Sequence, residues 1–563
     1  MRKLNNNKAH PTLAGAAGMA IVSLAMLPTP LAKATTYTWN GTGTSWNSSS
    51  SWTPNGTPGS GDYATFNAGG VSSAQTVDLN GNQSITGLTA NSSGSVDLVG
   101  GTGDQTLTFT NPTGENMQLS NSGPFTVGSN TAGQAVNILL DNSGSFTFVM
   151  DAQGPVSILN NISGAAATNN TTTLNLPSHG GNTNSLTMSG VLSDGSNGGS
   201  LALAVGFGGT LYLTGSNTFT GGMTISSLVN VASLSNYGVA SAIGARTSAQ
   251  DANQDGPGAI GLYFSGGTLQ YTGSTAQSTN RQIRLTNSTT NTIDASGSSP
   301  GATVSFTYDG SNTNLYNAPG TRTLNLVGSN TGRNIFSIGL TDQASSGGQT
   351  SVVKAGTGTW VLNNPSNGNS YSGTTSVNAG TLLVDSAIIN SPFTVSSAAT
   401  LAGDGSTGSL TVNTGGILAP GDNAIGGTTL TATGGTTLGN NSILNFTLGT
   451  PDVAGGTLGS DLLKTTTLAL GTGISVNVTP GAGFGQGTYS LIDYSGALTG
   501  NFTGWTVTGL PGGQTGVFSI GTDNGGSAVQ LTIASVPEPV PLALLVAAGG
   551  GLLLLGRQRR GQS

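Results

Sequence analysis

GGTLYLTGSNTFTGGMTI, Gly208 to Ile225, and GTGTWVLNNPSNGNSYSGTTSVNAGTLLV, Gly356 to Val384, are two versions of one pattern. Thr210 aligns with Thr359, Leu211 with Trp360, Leu213 with Leu362, Phe219 with Tyr371, Gly221 with Gly373 and Ile225 with Val377, the second copy carrying three extra residues. Side chains two apart on a strand share a face. Leu211 with Leu213, and Trp360 with Leu362, therefore each line one side of a short strand. Each copy reads as strand, glycine-containing turn, strand. A unit this short cannot bury its apolar face alone. It becomes stable only when stacked on others of its kind, which points to a repetitive β architecture.

Downstream the pattern becomes periodic. Val377, Val395, Val412, Leu430, Phe446 and Leu462 each centre a short apolar segment, at intervals of 18, 17, 18, 16 and 16 residues. Clusters of Gly, Asn, Asp and Ser separate them, as turns require. A step of this size fits one coil of a right-handed parallel β-helix, with neighbouring coils about 4.8 Å apart. Separate β-sandwiches would account for the alternation but not for the steady step. No helical periodicity of useful length occurs between residues 35 and 535. The expected fold is all-β: an elongated right-handed parallel β-helix.

Composition agrees. Only 6% of the 563 residues are charged and 92 are glycine, against about 25% charged and about 7% glycine in ordinary domains. Disorder normally needs high net charge, which is lacking here. Between residues 35 and 556 seven basic residues face all 21 acidic ones, a net charge of about −14. Nucleic acid is therefore not an expected partner, because its binding needs Lys and Arg on phosphates. With no cysteine, disulfides and thiolate-ligated metals are excluded.

The two quoted segments resemble the autotransporter-associated β-strand repeat of secreted β-helical proteins, and Gly415 to Ala432 resembles the passenger β-helix of autotransporters. No terminal set of amphipathic strands offers a translocation barrel. The resemblance thus implies the fold and secretion, with export by another route.

Both ends address that route. MRKLNNNK, the apolar run Leu13 to Leu27, and Ala32-Lys33-Ala34 form a secretory signal peptide, with Ala32 and Ala34 as the small residues before a cleavage that follows Ala34. At the other end stand Val536-Pro537-Glu538-Pro539, the 14 apolar residues Leu542 to Leu555, and Arg557, Arg559 and Arg560. A helix of that length spans about 21 Å, short of a ~30 Å hydrocarbon core. Its arginines would hold the tail on the cytoplasmic side. These ordered features resemble the PEP-CTERM sorting signal. The resemblance implies a Gram-negative bacterium making exopolysaccharide, transient membrane anchoring through 542–555, and an exosortase as processing partner. A plain single-span anchor is the other reading of the same residues.

Three of the five tryptophans, Trp39, Trp46 and Trp52, fall within the first residues after the predicted cleavage. They are candidates for stacking on sugars. They also suit a cap closing the apolar end of a solenoid, with Asp62, Tyr63 and Phe66 continuing as a strand.

Chemistry is sparse. His10 lies in the signal peptide, and His179 stands alone beside Ser178, which cannot by itself make a triad. Glu115 and Glu538 are the two glutamates, so paired-carboxylate glycosidase chemistry would fall to aspartates. DANQDG, Asp251 to Gly256, near Arg281 and Arg284 in sequence, matches the first half of a calcium loop through Asp251, Asn253 and Asp255, but its twelfth position is Leu262. Calcium is the one cofactor candidate.

The expected organisation is a signal peptide (1–34), a Trp-rich cap (35–70), a β-helical body with the first repeat (71–350), a regular β-helix with the second (351–535) and the sorting signal (536–563). The expected function is non-enzymatic: a secreted cell-surface or matrix protein, structural or adhesive, associated with exopolysaccharide. A β-helical polysaccharide lyase or hydrolase is the alternative.

Overall fold

The computed structural model describes residues 34–67, 71–111, 114–177, 184–251, 261–307, 315–316, 319–343, 347–366, 369–421 and 427–536. Residues 1–33 of the expected signal peptide (1–34), His179, Asn253, Asp255 and the expected sorting signal from Pro537 onward lie outside the described residues.

Alternating burial runs through many of the strands. In Thr171–Pro177, Leu174 and Leu176 are buried and the residues between are not; Ile443–Leu448 repeats the pattern. In the coils the turns carry the chain from one side to the next, so consecutive strands belong to different sheets and do not pair with each other. They pair one coil on, in parallel. One sheet of seventeen strands runs from Gln75–Asp78 to Leu498–Thr499. At about 4.8 Å per strand it is about 77 Å long.

Two further sides complete the coil. The second is built by a five-stranded sheet (Gln83–Ile85 to Leu192–Ser193) and later by a ten-stranded one (Gln277–Thr279 to Thr506–Thr508). The third is built by a twelve-stranded sheet (Thr36–Trp39 to Leu315–Tyr316) and then a seven-stranded one (Ala387–Ile388 to Gly526–Ser535). The chain is thus an all-β, three-sided parallel solenoid. Among the described residues helix is confined to Ser248–Asp251 and a short turn at Ser49–Ser51. One apolar interior runs unbroken from Trp39 to Ile533.

The expected uniform step holds only locally. Val377, Val395 and Val412 do stack on one another in the long sheet. Leu430, however, pairs with Leu463 on the third side, and Phe446 pairs with Val478 on the second. The coil lengthens there: Leu410 pairs with Thr436 and Leu468 with Leu498. All three sides carry the same in–out alternation. Spacing alone therefore cannot separate the next strand along the coil from the next coil along the axis.

The two repeats occupy coils with one side lacking a strand, and they differ in orientation. Thr210–Leu213 lies in the long sheet and Met223–Ile225 on the third side. Their counterparts Thr359–Leu362 and Thr375–Val377 lie on the second side and in the long sheet. The same motif is turned by one side. In each, the loop crossing the strandless side is sealed from within by an aromatic, Phe219 or Tyr371, both buried.

Close stacking also explains the glycine content. A Cβ on Gly123 would meet the carbonyl oxygen of Gly94 at 2.5 Å, and one on Gly154 would meet that of Gly123 at 2.2 Å. Only glycine lets the backbones approach this closely at that corner.

Antiparallel strands close both ends. Trp52–Thr53 pairs antiparallel with Thr36–Trp39 at the edge of the third side. At the far end Gly487–Tyr494 pairs antiparallel with Gly526–Ser535, which pairs in turn with Gln514–Asp523. The described structure ends at Val536, whose N–H donates to Gly513 O.

Candidate functional site

Cations are scarce, so their placement is informative. Of the seven basic residues in the body, Arg246, Arg281, Arg284, Arg322 and Lys354 are buried. Arg333 is paired with Asp385 at 2.8 Å. Lys464 is the one exposed cation without an ion pair among the described residues.

Lys354 points inward from Thr350–Lys354, and its amine donates to Ala355 O (2.9 Å), Gly356 O (2.8 Å) and Ala379 O (2.8 Å). Three carbonyls use its three N–H donors. Burial pulls this ammonium down to about 8.

Asp251 and Arg281 are brought together by a long excursion, while Arg284 is buried on Ile283–Leu285. Leu228 pairs with Thr268, forty residues on, and the described residues 232–251 lie outside the sheets. Asp251, 4% exposed, accepts from Tyr237 Oη at 2.6 Å, from Gly261 N at 3.0 Å and from the Arg246 guanidinium. Arg281 donates to Gly244 O at 2.7 Å and to Ile243 O at 2.5 Å. Burial pulls its guanidinium down to about 10, with Tyr237 and Asp251 acting in the opposite sense. The Asp251 carboxylate thus ties the excursion to the solenoid. Among the described residues no group of three His, Cys, Asp or Glu is placed to hold a metal.

Trp39, Trp46 and Trp52 are all fully buried. Trp52 makes edge contacts with Trp39 (5.0 Å) and Trp46 (4.9 Å) and packs on Phe66. Its indole N–H donates to Trp46 O at 2.8 Å. No ring face is left for a sugar; the three rings fill the end of the apolar interior.

A cavity of about 420 Å³ opens on the outer side of the third side near its C-terminal end. Register builds its floor: Thr431 pairs with Lys464, and Lys464 with Asp493. Leu463 and Ile492 face inward, so Lys464 and Asp493 face out together. The roof is the hairpin turn Asp523-Asn524-Gly525-Gly526, where Asn524 (φ 47°) and Gly525 (φ 77°) both take the left-handed region. That is the two-residue Asn-Gly turn that suits strand twist. Gly455 N fixes Asp523 through its Oδ2 at 2.8 Å.

Under this roof Asp493 is 6% exposed. Asn524 Nδ2 donates to its Oδ2 at 3.3 Å, while its Oδ1 takes no hydrogen bond from the protein. Burial raises the carboxyl above the ordinary aspartate range; Asp523 adds to the shift, and Asn524 and Lys464 oppose it. Around the corner a second hollow of about 270 Å³ is lined by Ser409, Thr411, Thr436, Thr437, Thr467 and Thr499 among others. Neither cavity has an arginine or a histidine in its wall. Sequence reading missed the first cavity because Lys464, Asp493 and Asp523 are scattered over 60 residues. Only coil stacking and the terminal hairpin unite them.

Sequence reading also missed the locks at the strandless corners. Asn217 Oδ1 accepts from Leu192 N at 2.8 Å, and its amide donates to Ala242 O at 2.9 Å. Asn369 Oδ1 accepts likewise from Leu340 N at 2.9 Å. Asp194 accepts from Thr220 N and Oγ1 (3.0 and 2.6 Å), as Asp342 does from Ser372 N and Oγ (2.9 and 2.5 Å). The signal was present as Asn-x-aromatic-Ser/Thr-Gly in both repeats, with an aspartate one coil earlier.

Two segments, residues 208–227 and 352–384, match the passenger-associated-transport-repeat family. They contain the two strandless corners just described. A similar protein is the BmaC autotransporter adhesin of Brucella suis biovar 1 (strain 1330), 30% identical over 379 aligned residues, covering 54% of this chain and 10% of that protein. The match spans about a tenth of the relative's length.

Proposed function

We propose that this chain is a secreted, non-enzymatic protein of a Gram-negative cell surface or extracellular matrix, adhesive or structural, standing among exopolysaccharide. The observation that carries this reading is an outward row along the long sheet. Thr126, Ser157 and Thr187 are register partners in one part, and Ser376, Thr394, Thr411 and Thr437 in another. Such a row presents hydroxyls at about 4.8 Å intervals, while a continuous apolar cluster from Trp39 to Ile533 fills the interior. Hydroxyls that both donate and accept suit a hydrated, polyhydroxylated surrounding. The passenger-type repeats and the resemblance to an adhesin support the same direction.

Delivery belongs to this proposal. Val536 leaves the last strand directly, so the Pro-Glu-Pro motif follows the fold without a long spacer. A processing enzyme would cut there and free the solenoid intact. Mass spectrometry of the terminal peptides from the extracellular fraction tests it. The expected product begins at Thr35 and lacks 542–555; a chain intact through Ser563 refutes the sorting step. Adhesion is tested by cosedimentation with extracellular polysaccharide, where a protein staying wholly in the supernatant counts against it.

A further inference from the structure

We propose that the cavity between Lys464, Asp493 and the turn Asp523–Gly526 binds a neutral pyranose unit of a polysaccharide. The inference rests on the reading of a protein placed among polysaccharide and gives that reading a specific site.

Three observations converge on this class of ligand. Asp493, 6% exposed, lines the cavity, and its Oδ1 is an acceptor without a protein donor. A buried acceptor left unmade is costly, so a donor from a ligand has much to gain there. The walls mix acceptors (Asp493, Asp523) with donors (Lys464, the Asn524 amide, the hydroxyls of Thr431 and Thr466). A vicinal diol is donor and acceptor at adjacent atoms, and so matches a wall of both kinds. The volume, about 420 Å³, suits a small molecule or one unit of a chain.

Charge decides against the competitors. Two carboxylates with one ammonium disfavour an acidic sugar. Lys464, packed beside Asp493 by register, disfavours a bare divalent cation, which would also lack a third carboxylate. The site is held in shape before any ligand arrives. Gly455 N fixes Asp523, the Asn-Gly turn fixes the roof, and the strand ladder fixes Lys464 and Asp493. Thr433 and Thr466 in its wall adjoin Gly434 and Thr467 of the threonine-lined hollow in sequence, a route by which neighbouring units of a chain would run onto the long sheet.

The test uses the purified full-length protein and a panel of methyl pyranosides of glucose, mannose, galactose and N-acetylglucosamine, followed by saturation-transfer NMR and titration. Glucuronate and calcium chloride form separate arms. At least one neutral pyranoside should bind. Asp493→Asn should weaken it on the order of ten- to a hundredfold, as expected for losing a hydrogen bond to a charged group. Lys464→Gln, at an exposed position, should weaken it less and leave thermal unfolding unchanged. Binding of none of the neutral sugars overturns the proposal, as does equal binding by both variants. Preference for glucuronate, or calcium uptake dependent on Asp493, overturns it too. Cosedimentation with polysaccharide separates the two levels: loss in the wild type refutes the broader reading, whereas unchanged cosedimentation of Asp493→Asn with weakened pyranoside binding leaves both standing.

Discussion

Gly123→Ala is the substitution that most directly probes how the coils are stacked. Its new Cβ would lie 2.5 Å from Gly94 O and 2.6 Å from Gly94 C. Both are backbone atoms, so no side chain can swing aside. Relieving the overlap requires coils to separate by about 1 Å, since ordinary carbon contacts begin near 3.5 Å. The bond Gly123 N to Ser92 O is already 3.3 Å long and would be lost. Overpacking of this kind costs about 1–3 kcal/mol, and Gly→Ala returns about 0.4–1 kcal/mol by restricting the unfolded chain. The net is a destabilisation of about 1–2 kcal/mol. Gly61→Ala is the control: nothing lies within 4 Å of its Cβ and its φ is not left-handed, so it should be neutral or slightly stabilising. A long repeat array need not unfold as one unit, so local hydrogen exchange is the proper assay. Peptides spanning 92–127 should exchange about 5- to 30-fold faster in Gly123→Ala, while peptides spanning 410–448 stay unchanged. Equal protection of 92–127 in the two variants would refute the stacking argument.

Asp342→Ala removes the acceptor of Thr350 N and of the Ser372 N–H and hydroxyl and should cost about 2–4 kcal/mol; Ser372→Ala, which spares the two backbone bonds, should cost about 1 kcal/mol, both read by urea unfolding. Lys354 has a folded-state pKa depressed to about 8 from 10.5, so the unfolded chain binds more protons between those values. Its penalty is full below pH 8 and fades as pH rises to 10.5; the stability of wild type relative to Lys354→Met should therefore increase over that window, by on the order of 1–3 kcal/mol, and a flat difference would contradict the depressed pKa. Trp52→Ala, at the centre of the N-terminal ring cluster, should cost about 3–5 kcal/mol and expose peptides up to Phe66 to exchange first.

Much of the fold was legible because burial is written residue by residue. Leu211 and Leu213, or Val377, Val395 and Val412, declare strands and stacking through alternation and spacing alone. Alternation is a property of one strand, and any apolar interior demands it. The same generality hid the number of sides: Leu430 and Phe446 look like successors of Val412 but lie on different sides of the coil. A repeated Gly-x-apolar-x-apolar motif at Gly94, Gly123 and Gly154 carried the true, longer step and was obscured by loops of unequal length.

The site divides the same way. Sequence by itself determined an acidic, cysteine-free, hydroxyl-rich β-chain, because these properties are sums over residues and need no geometry. It also marked Asp251 beside Arg281 and Arg284, yet could not tell a metal loop from a buried tether. Tertiary structure supplied the partners of Asp251: its carboxylate meets Tyr237, Gly261 N and Arg246. It decided too that the tryptophans fill the interior, and that Lys464, Asp493 and Asp523 share one cavity. The physical reason is that a solenoid brings residues together by coil length and register, and both are set by pairing across the stack rather than by any local run of sequence.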